Sequence, residues 1–195
     1  MQNRGCPYCG TVLEPPPKRK KACPSCREII VVRNGLLVTQ AAAERIDLMV
    51  RYGIEQQEFL ATEEILAKRL NRVPPPRDVV WVILDERGRT AEEKGDYHQM
   101  IWTCRQRAMF LNEEGRDASD ALQAEARWSL IAEQAHGLRR VKILTARDER
   151  VCDQCRPLDG KVLDISEALK SKPIPPKECP FCRCSYSGVT TDLDV

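Results

Sequence analysis

Eight of the ten cysteines in this 195-residue chain fall into four C-x2-C pairs, two near each end. The pairs, with one further cysteine just beyond them, are Cys6/Cys9, Cys23/Cys26, Cys152/Cys155, Cys179/Cys182 and the single Cys184. Each C-x2-C turn supplies two thiolates, and two such turns complete the tetrahedral ligand set of a zinc ion. The sequence therefore predicts two zinc ions per chain, one near each terminus and each held by cysteines alone.

The composition indicates why such a chain would need metal. Only 5 % of the residues are aromatic and 31 % are charged, which argues against one large core. Small units of roughly 35 to 50 residues bury too little apolar surface to fold without a staple. The first residues lack the apolar run of an export signal, so we expect a cytoplasmic location, where paired cysteines are more often metal ligands than disulfides.

The distribution of motifs predicts an α-rich chain in several parts. The expected parts are a zinc ribbon at 1–38, a helical region at 39–137, a cysteine-rich zinc module at 138–189 and a disordered tail at 190–195. No stretch approaches the roughly eighteen apolar residues of a membrane span, so no membrane association is expected.

The first module has the pattern of a small β unit. The β-branched run Ile29–Val32 is followed by Asn34-Gly35, a strong two-residue hairpin turn, and then by the apolar run Leu36–Val38. Two cysteine turns and a hairpin are typical of a zinc ribbon.

The middle of the chain is predicted to be helical. A break is expected near Gly53 and a new helix start at Thr62, which can cap the acidic first turn that follows. The prolines from Pro74 end this helix. The run Val79–Leu84 has the composition of a strand, but its position after Asp78 favours a helix.

Two further helices are predicted to form an antiparallel hairpin, because each has an apolar stripe and the connection between them is short. The first stripe is Tyr97, Ile101, Cys104, Ala108 and Leu111, ending at Gly115, and the second is Ala121, Ala124, Trp128, Ile131 and Ala135, ending at Gly137. Asp117 is the expected cap of the second helix.

The last module is predicted to be a small β-hairpin closed by zinc. A strand is expected over residues 141–145, a turn at Asp159-Gly160 and a short helix over 167–170. Five cysteines compete for four coordination positions. The chosen ligands are Cys152, Cys155, Cys179 and Cys182, with Cys184 as the alternative, and four sulfur donors predict a closed, structural site.

A redox function of the first cysteine pair is the main rival to zinc there. Cys6-Pro7-Tyr8-Cys9 is also the active-site tetrapeptide of glutaredoxins, whose first cysteine lies at a helix N-terminus after a strand. Only five residues precede Cys6, and Gly10 and three prolines follow, so zinc is the favoured interpretation.

Four consecutive cations, Lys18, Arg19, Lys20 and Lys21, lie between the first two cysteine pairs. They could bind nucleic acid through phosphate attraction, or they could keep a small module soluble. No aromatic residue is interleaved with them for base stacking, which favours the solubility interpretation.

Three other chemically active side chains and one charged pair are expected to be structural. Cys104 lies on an apolar stripe, His98 lies beside Tyr97, and His136 ends a helix, where a cation is favoured. Arg147 and Asp148 either orient the nearby cysteine turn or form an exposed pair of little energetic value.

Residues of about 140–188 resemble the C-terminal segment of the phage minor head (head morphogenesis) proteins, the family similar to protein F of phage Mu. The resemblance lies in Arg147-Asp148, the Cys152/Cys155 pair, Leu158-Asp159-Gly160-Lys161 and the proline-led Cys179-Pro180-Phe181-Cys182-Arg183-Cys184. Cys179 stands where the family usually has His. The resemblance implies a zinc-stabilised module in a structural assembly protein.

The leading hypothesis is a non-enzymatic interaction or assembly protein with a protein partner, virion-associated if the gene belongs to a phage. The alternatives are a nucleic-acid-binding zinc-ribbon protein and, less favoured, a thiol oxidoreductase that uses Cys6 and Cys9.

Overall fold

The computed structural model describes residues 4–176, 179 and 182–190. The helices in this part of the chain are α1 (Gln40–Tyr52), α2 (Gln56–Leu70), α3 (Pro76–Lys94), α4 (Tyr97–Glu113), α5 (Ser119–Ala135) and α6 (Ile165–Ser171). The strands are β1 (Lys21–Ala22), β2 (Ile29–Arg33), β3 (Leu36–Val38), β4 (Arg140–Leu144), β5 (Val162–Asp164) and β6 (Ser185–Gly188). No helix in the described ranges is long and apolar enough to cross a membrane.

The chain separates into two compact units, and the division falls between Ile83 and Leu84, inside α3. The predicted boundaries at residues 38, 137 and 189 divide the chain differently and remain a prediction. The predicted tail lies outside the described residues except for Thr190.

The first unit contains a three-stranded antiparallel sheet in the order β1-β2-β3. The predicted hairpin forms: Asn34 and Gly35 both have positive φ, 50° and 75°, as a tight turn between β2 and β3 requires. The pairing of β1 with β2 was not predicted. It places Lys21 opposite Ile30 in the sheet rather than in a loop.

Helix ends in the first unit follow local chemistry. Thr39 caps α1 by accepting a hydrogen bond from Ala42 N at 3.1 Å, and Gly53 ends the helix with φ of 57°. The expected start of α2 at Thr62 was wrong. The helix begins six residues earlier, at Gln56, which allows Phe59 to join Leu66 on its buried side.

The ambiguous run Val79–Leu84 lies within α3, so the helical interpretation is confirmed. Pro76 is tolerated at the first helical position, where its missing N–H has no intrahelical partner to lose. Val79, Val80, Ile83 and Leu84 are 0–2 % exposed. Their spacing of one, three and one residues is that of a single helical face.

The second unit contains the predicted helical hairpin. Tyr97 near the start of α4 stacks with Trp128 late in α5, with ring centroids 6.3 Å apart. Arg105 pairs with Glu125 at 2.6 Å between Nη2 and Oε1. A higher residue number on α4 is thus paired with a lower residue number on α5, as an antiparallel pair of helices requires.

The predicted buried stripe was partly right on α4, where Ala108 and Leu111 are buried, and wrong on α5, where none of the five predicted residues is fully buried. On α4 the buried residues are Met100, Thr103, Gln106, Ala108, Phe110 and Leu111, and on α5 they are Leu122, Leu130 and Ala132. Helix α5 contacts α4, α6 and β6. Because neighbours cover it on several sides, its larger Leu side chains are buried rather than the alanine-rich stripe.

The second unit also contains a three-stranded antiparallel sheet in the order β5-β4-β6. The predicted two-stranded hairpin around Asp159-Gly160 was wrong. Arg156–Leu158 form a 3-10 turn, and β5 pairs with β4 instead of with the residues before the turn. Val141 and Ile143 of β4 are fully buried against Leu130, Ile165 and Tyr186.

Candidate metal centres

The two cysteine pairs of the first unit converge. The sulfur atoms of Cys6, Cys9, Cys23 and Cys26 all lie within 4.8 Å of one another. Cys6 Sγ is 3.8 Å from Cys26 Sγ, and Cys9 Sγ is 3.8 Å from Cys23 Sγ. A disulfide has sulfurs about 2 Å apart, so these are four separate thiols.

The spacing of these sulfurs matches a tetrahedral ion. Zinc–sulfur bonds of about 2.3 Å place the corners of a regular tetrahedron about 3.8 Å apart. Cys6, Cys23 and half-buried Cys26 also pack with Leu13, Ile30 and Leu37, so the thiols form much of this small core. The four cysteines can therefore hold a metal ion while they complete the packing of the sheet.

The same local structure is built twice around this site. Gly10 N donates to Cys6 O at 2.9 Å, and Arg27 N donates to Cys23 O at 2.9 Å. Gly10 and Arg27, each four residues after the first cysteine of its pair, have φ of 76° and 64°. In each C-x2-C turn, a backbone hydrogen bond therefore joins the residue after the turn to the first cysteine. This bond holds both sulfurs of the pair on the same side of the turn.

Tyr8 joins the first cysteine turn to two other elements. Its hydroxyl donates to Ile29 O at 3.2 Å in β2 and accepts from Gln40 N at 2.9 Å at the start of α1. Sequence analysis treated Tyr8 only as part of a redox-like tetrapeptide. Its position between two ligand candidates was the available signal that it could act as a tether.

The arrangement around Cys6 is not that of a thiol oxidoreductase. Cys6 lies at the start of a turn rather than at a helix N-terminus, and its side chain is buried. Cys9 is exposed, and hydrogen bonds from the Thr11 side chain and backbone lower the pKa of its thiol to about 6. A thiol held near ionisation beside three others fits a metal ligand.

Five cysteines come together in the second unit, but they form two overlapping trios. One trio is Cys152, Cys155 and Cys179, and the other is Cys155, Cys182 and Cys184. The sulfurs of Cys155 and Cys182 are 3.8 Å apart. Cys155 is common to both groups, and Cys182 and Cys184 both belong to the second group. The predicted choice of Cys182 over Cys184 as a ligand therefore stays a prediction.

The five clustered sulfurs of the second unit lie in a more enclosed setting than the four of the first. Cys155 and Cys182 are buried with Val151, and the other three cysteines are half-buried around them. Burial raises the pKa of Cys155, and it raises the pKa of Cys179 to about 12. Neutral thiols are thus favoured at Cys155 and Cys179 unless a cation is present, since a dication would stabilise the thiolates.

Arg147 and Asp148 do not form the pair considered from sequence. Asp148 accepts two hydrogen bonds from Arg183, at 2.8 and 2.5 Å, while Arg147 Nε donates to Asp159 Oδ2 at 2.9 Å. The Arg183 guanidinium lowers the pKa of Asp148 to about 2. Since Arg183 lies between Cys182 and Cys184, this pair links the two ends of the cysteine cluster.

The four basic residues between the first two cysteine pairs lie in two different environments. Lys18, Arg19 and Lys20 line a groove in the first unit, and Lys21 belongs to β1 and is absent from that lining. The groove also contains Arg33, Arg51 and Arg77, which sequence analysis missed because they lie on three different elements.

Cys104, His98 and His136 belong to neither cysteine cluster, and their structural role stays a prediction. Cys104 is half-buried on α4, and burial raises the pKa of its thiol to about 11. His98 and His136 face each other across the α4–α5 hairpin with ring centroids 6.5 Å apart, and both side chains are exposed.

Comparison with protein families places most of the second unit in a known group. The family model described as Phage Mu protein F like protein matches residues 62–187, a longer stretch than the 140–188 noted from sequence motifs. The match includes all five clustered cysteines of the second unit and begins within α2. No curated protein matches the chain, and no solved structure matches it. Because the match covers more than half of its residues, the chain belongs to the family of proteins like protein F of phage Mu.

Proposed function

We propose that this chain is a non-enzymatic assembly protein of the phage-head type, in which two structural zinc ions hold the cysteine-rich segments in shape. The family match over residues 62–187 is the observation that carries the assembly role. It implies other head proteins as the partners and association with virions as the location.

The first zinc would be held by Cys6, Cys9, Cys23 and Cys26. The support is the mutual approach of four sulfurs within 4.8 Å, at a spacing suited to zinc. The second would be held by Cys152, Cys155, Cys179 and Cys182, with Cys184 able to replace one of them. Four thiolates leave no open position for a substrate, so each ion acts as a cross-link. A structural zinc contributes on the order of 10 kcal/mol to folding of such a segment.

Sulfur-only tetrahedral sites also suit iron, so the metal needs a direct test. Native mass spectrometry of the purified full chain should give two zinc ions per chain, with elemental analysis confirming their identity. Visible absorption from iron–thiolate bonds, or a well-ordered chain without metal, would contradict the zinc assignment.

The assembly role needs a separate experiment. Head particles from an induced culture of a host that carries this gene should be separated from free protein on a density gradient. The chain should sediment with the particles at a fixed ratio to the major head protein. A chain that stays in the free-protein fractions while heads assemble normally without it would contradict the proposal, whatever its zinc content.

A further inference from the structure

A wide groove crosses the first unit, and its lining comes from four parts of the chain. The loop before β1 contributes Lys18, Arg19 and Lys20, strand β2 contributes Arg33, helix α1 contributes Arg51, and the first turn of α3 contributes Arg77. The volume of the groove is about 650 Å³. One water molecule occupies about 30 Å³ of liquid, so the groove is far larger than a single ion requires.

The groove carries a strong positive charge. Its lining contains six cations and two carboxylates, Glu44 and Asp47, a net charge of +4. Asp47 is engaged by Arg33 through two hydrogen bonds of 2.7 and 2.6 Å, and Arg51 also acts electrostatically on it. Most of the excess charge therefore comes from the three-cation loop, whose side chains are all exposed.

The uncharged residues of the groove argue against two other classes of ligand, apolar peptides and single-stranded nucleic acids. Val31, Ala43 and Leu48 are 3–6 % exposed, and half-buried Val32 packs against the core of the first unit, so the apolar lining offers little surface to an apolar anchor of a peptide. The lining contains no aromatic residue, and aromatic platforms are how proteins commonly hold single-stranded bases. Cations spread along a groove, with neither of these additions, suit a regular row of phosphates.

We infer that this groove binds the phosphate backbone of a double-stranded nucleic acid without reading its sequence. The loop cations Lys18, Arg19 and Lys20 are exposed, and Arg51 and Arg77 line the same groove. Guanidinium groups match the geometry of phosphate oxygens. Five of the six cations precede residue 62, outside the family match, so the inference does not depend on the proposed assembly role.

The test is binding of the metal-loaded full chain to a fluorescent DNA duplex of random sequence and about 20 base pairs, over about 50 to 300 mM salt. With three to five phosphate contacts, the logarithm of affinity should fall against the logarithm of salt with a slope of about −3 to −4.5. The triple substitution Lys18→Gln, Arg19→Gln, Lys20→Gln should weaken binding at least tenfold and make that slope shallower by about 3.

A matched control removes the same charge from the same unit outside the groove. Lys68, Arg69 and Arg72 are exposed at the end of α2 and just beyond it. Their triple change to Gln should leave affinity within about twofold of the parent. Glu44→Gln removes a carboxylate from the lining and should raise affinity about two- to threefold, a gain that misfolding would not produce.

Several outcomes would overturn the inference. Equal loss in the two triple variants would indicate a general charge effect rather than this groove. Tighter binding to the corresponding single strand, or equal displacement of the duplex by poly-glutamate, would assign a different class of ligand. A flat salt response would remove backbone binding altogether.

Discussion

Asp148 offers the sharpest test of how single residues support the second metal centre. It accepts both Nη hydrogen bonds from Arg183, which stands between two of the five cysteines. Asp148→Asn should speed loss of metal from that unit to a competing chelator by about tenfold, because groups around metal ligands hold them in place. The measurement is metal transfer followed with a zinc-sensitive dye.

Asp153→Asn is the matched control, because its side chain is fully exposed between Cys152 and Cys155.

The contribution of Asp148 to stability depends on pH in a definite direction. The pKa of Asp148 is lowered to about 2 from a usual value of 3.8, so its stabilising charge is complete above 3.8 and disappears only as pH falls through about 2. Above about pH 4, acid should therefore release metal from the parent and from Asp153→Asn over the same pH range, because protonation of the thiols controls that release.

Gly188 is a position where a single methyl group should be costly. A Cβ there would lie 2.2 Å from Leu138 Cδ1 and 2.8 Å from Glu133 Oε2. Glu133 also accepts a hydrogen bond from Gly188 N at 3.2 Å, so the carboxylate cannot move away without losing it. Gly188→Ala should lower the free energy of unfolding by about 1–3 kcal/mol, measured by denaturant titration.

The neighbouring Ser187→Ala on the same strand controls for a general weakening of β6. It should change the free energy of unfolding by no more than about 0.5 kcal/mol. Equal stability of the parent and Gly188→Ala would mean that β6 and α5 separate easily.

Among the secondary-structure elements, the link from the first cysteine turn to α1 depends on Tyr8. Its hydroxyl bonds both Ile29 O and Gln40 N. Tyr8→Phe should destabilise the first unit by about 0.5–1.5 kcal/mol, because one hydroxyl serves two partners. Chemical denaturation of the metal-loaded chain would measure this loss.

Tyr97→Phe keeps the stacking of ring 97 on Trp128 in the second unit and is the comparison for Tyr8→Phe. It should leave the free energy of unfolding of the first unit unchanged in the same chemical denaturation. If Tyr8→Phe had no effect, α1 would be positioned by its packing on β2 alone.

Elements whose limits depend on neighbouring residues were predictable from sequence. Asn34-Gly35 specified the β2–β3 turn, and Gly53, Gly115 and Gly137 marked helix ends because each adopts positive φ there. Elements that depend on distant partners were not. Strand β6 has no hydrophobic alternation and exists because β4 offers an open edge, so nothing in Ser185–Gly188 alone identified it.

The candidate sites show the same division. The four cysteines of the first unit were predictable because two C-x2-C turns are a strong local signal, and the structure brings them together. The overlapping trios of the second unit depend on how the segment after α6 returns to Cys155, which spacing does not determine. The groove cations Arg33, Arg51 and Arg77 belong to separate elements and meet only in the folded unit.

At the scale of the whole molecule, the two cysteine clusters lie in different compact units. Cys9→Ser should therefore reduce metal content from two ions per chain to one and lower the unfolding temperature of the first unit only. Native mass spectrometry and differential scanning calorimetry would measure both effects. Cys104→Ser, outside both clusters, should retain two ions.

Simultaneous loss of both ions in Cys9→Ser would show that the clusters depend on each other. Loss of neither would mean that Cys9 is not a ligand.

The presence of a fifth cysteine in the second cluster has a practical consequence. A tetrahedral ion bound there would accept four sulfurs, so one of the five clustered cysteines would stay outside the coordination sphere. Ions in both clusters would shield eight thiols from maleimides, and burial keeps the pKa of Cys104 at about 11, which suppresses its nucleophilicity. The uncoordinated sulfur is then the natural attachment point for a spin label or fluorophore, and the identity of the labelled residue would reveal which four sulfurs the ion has selected.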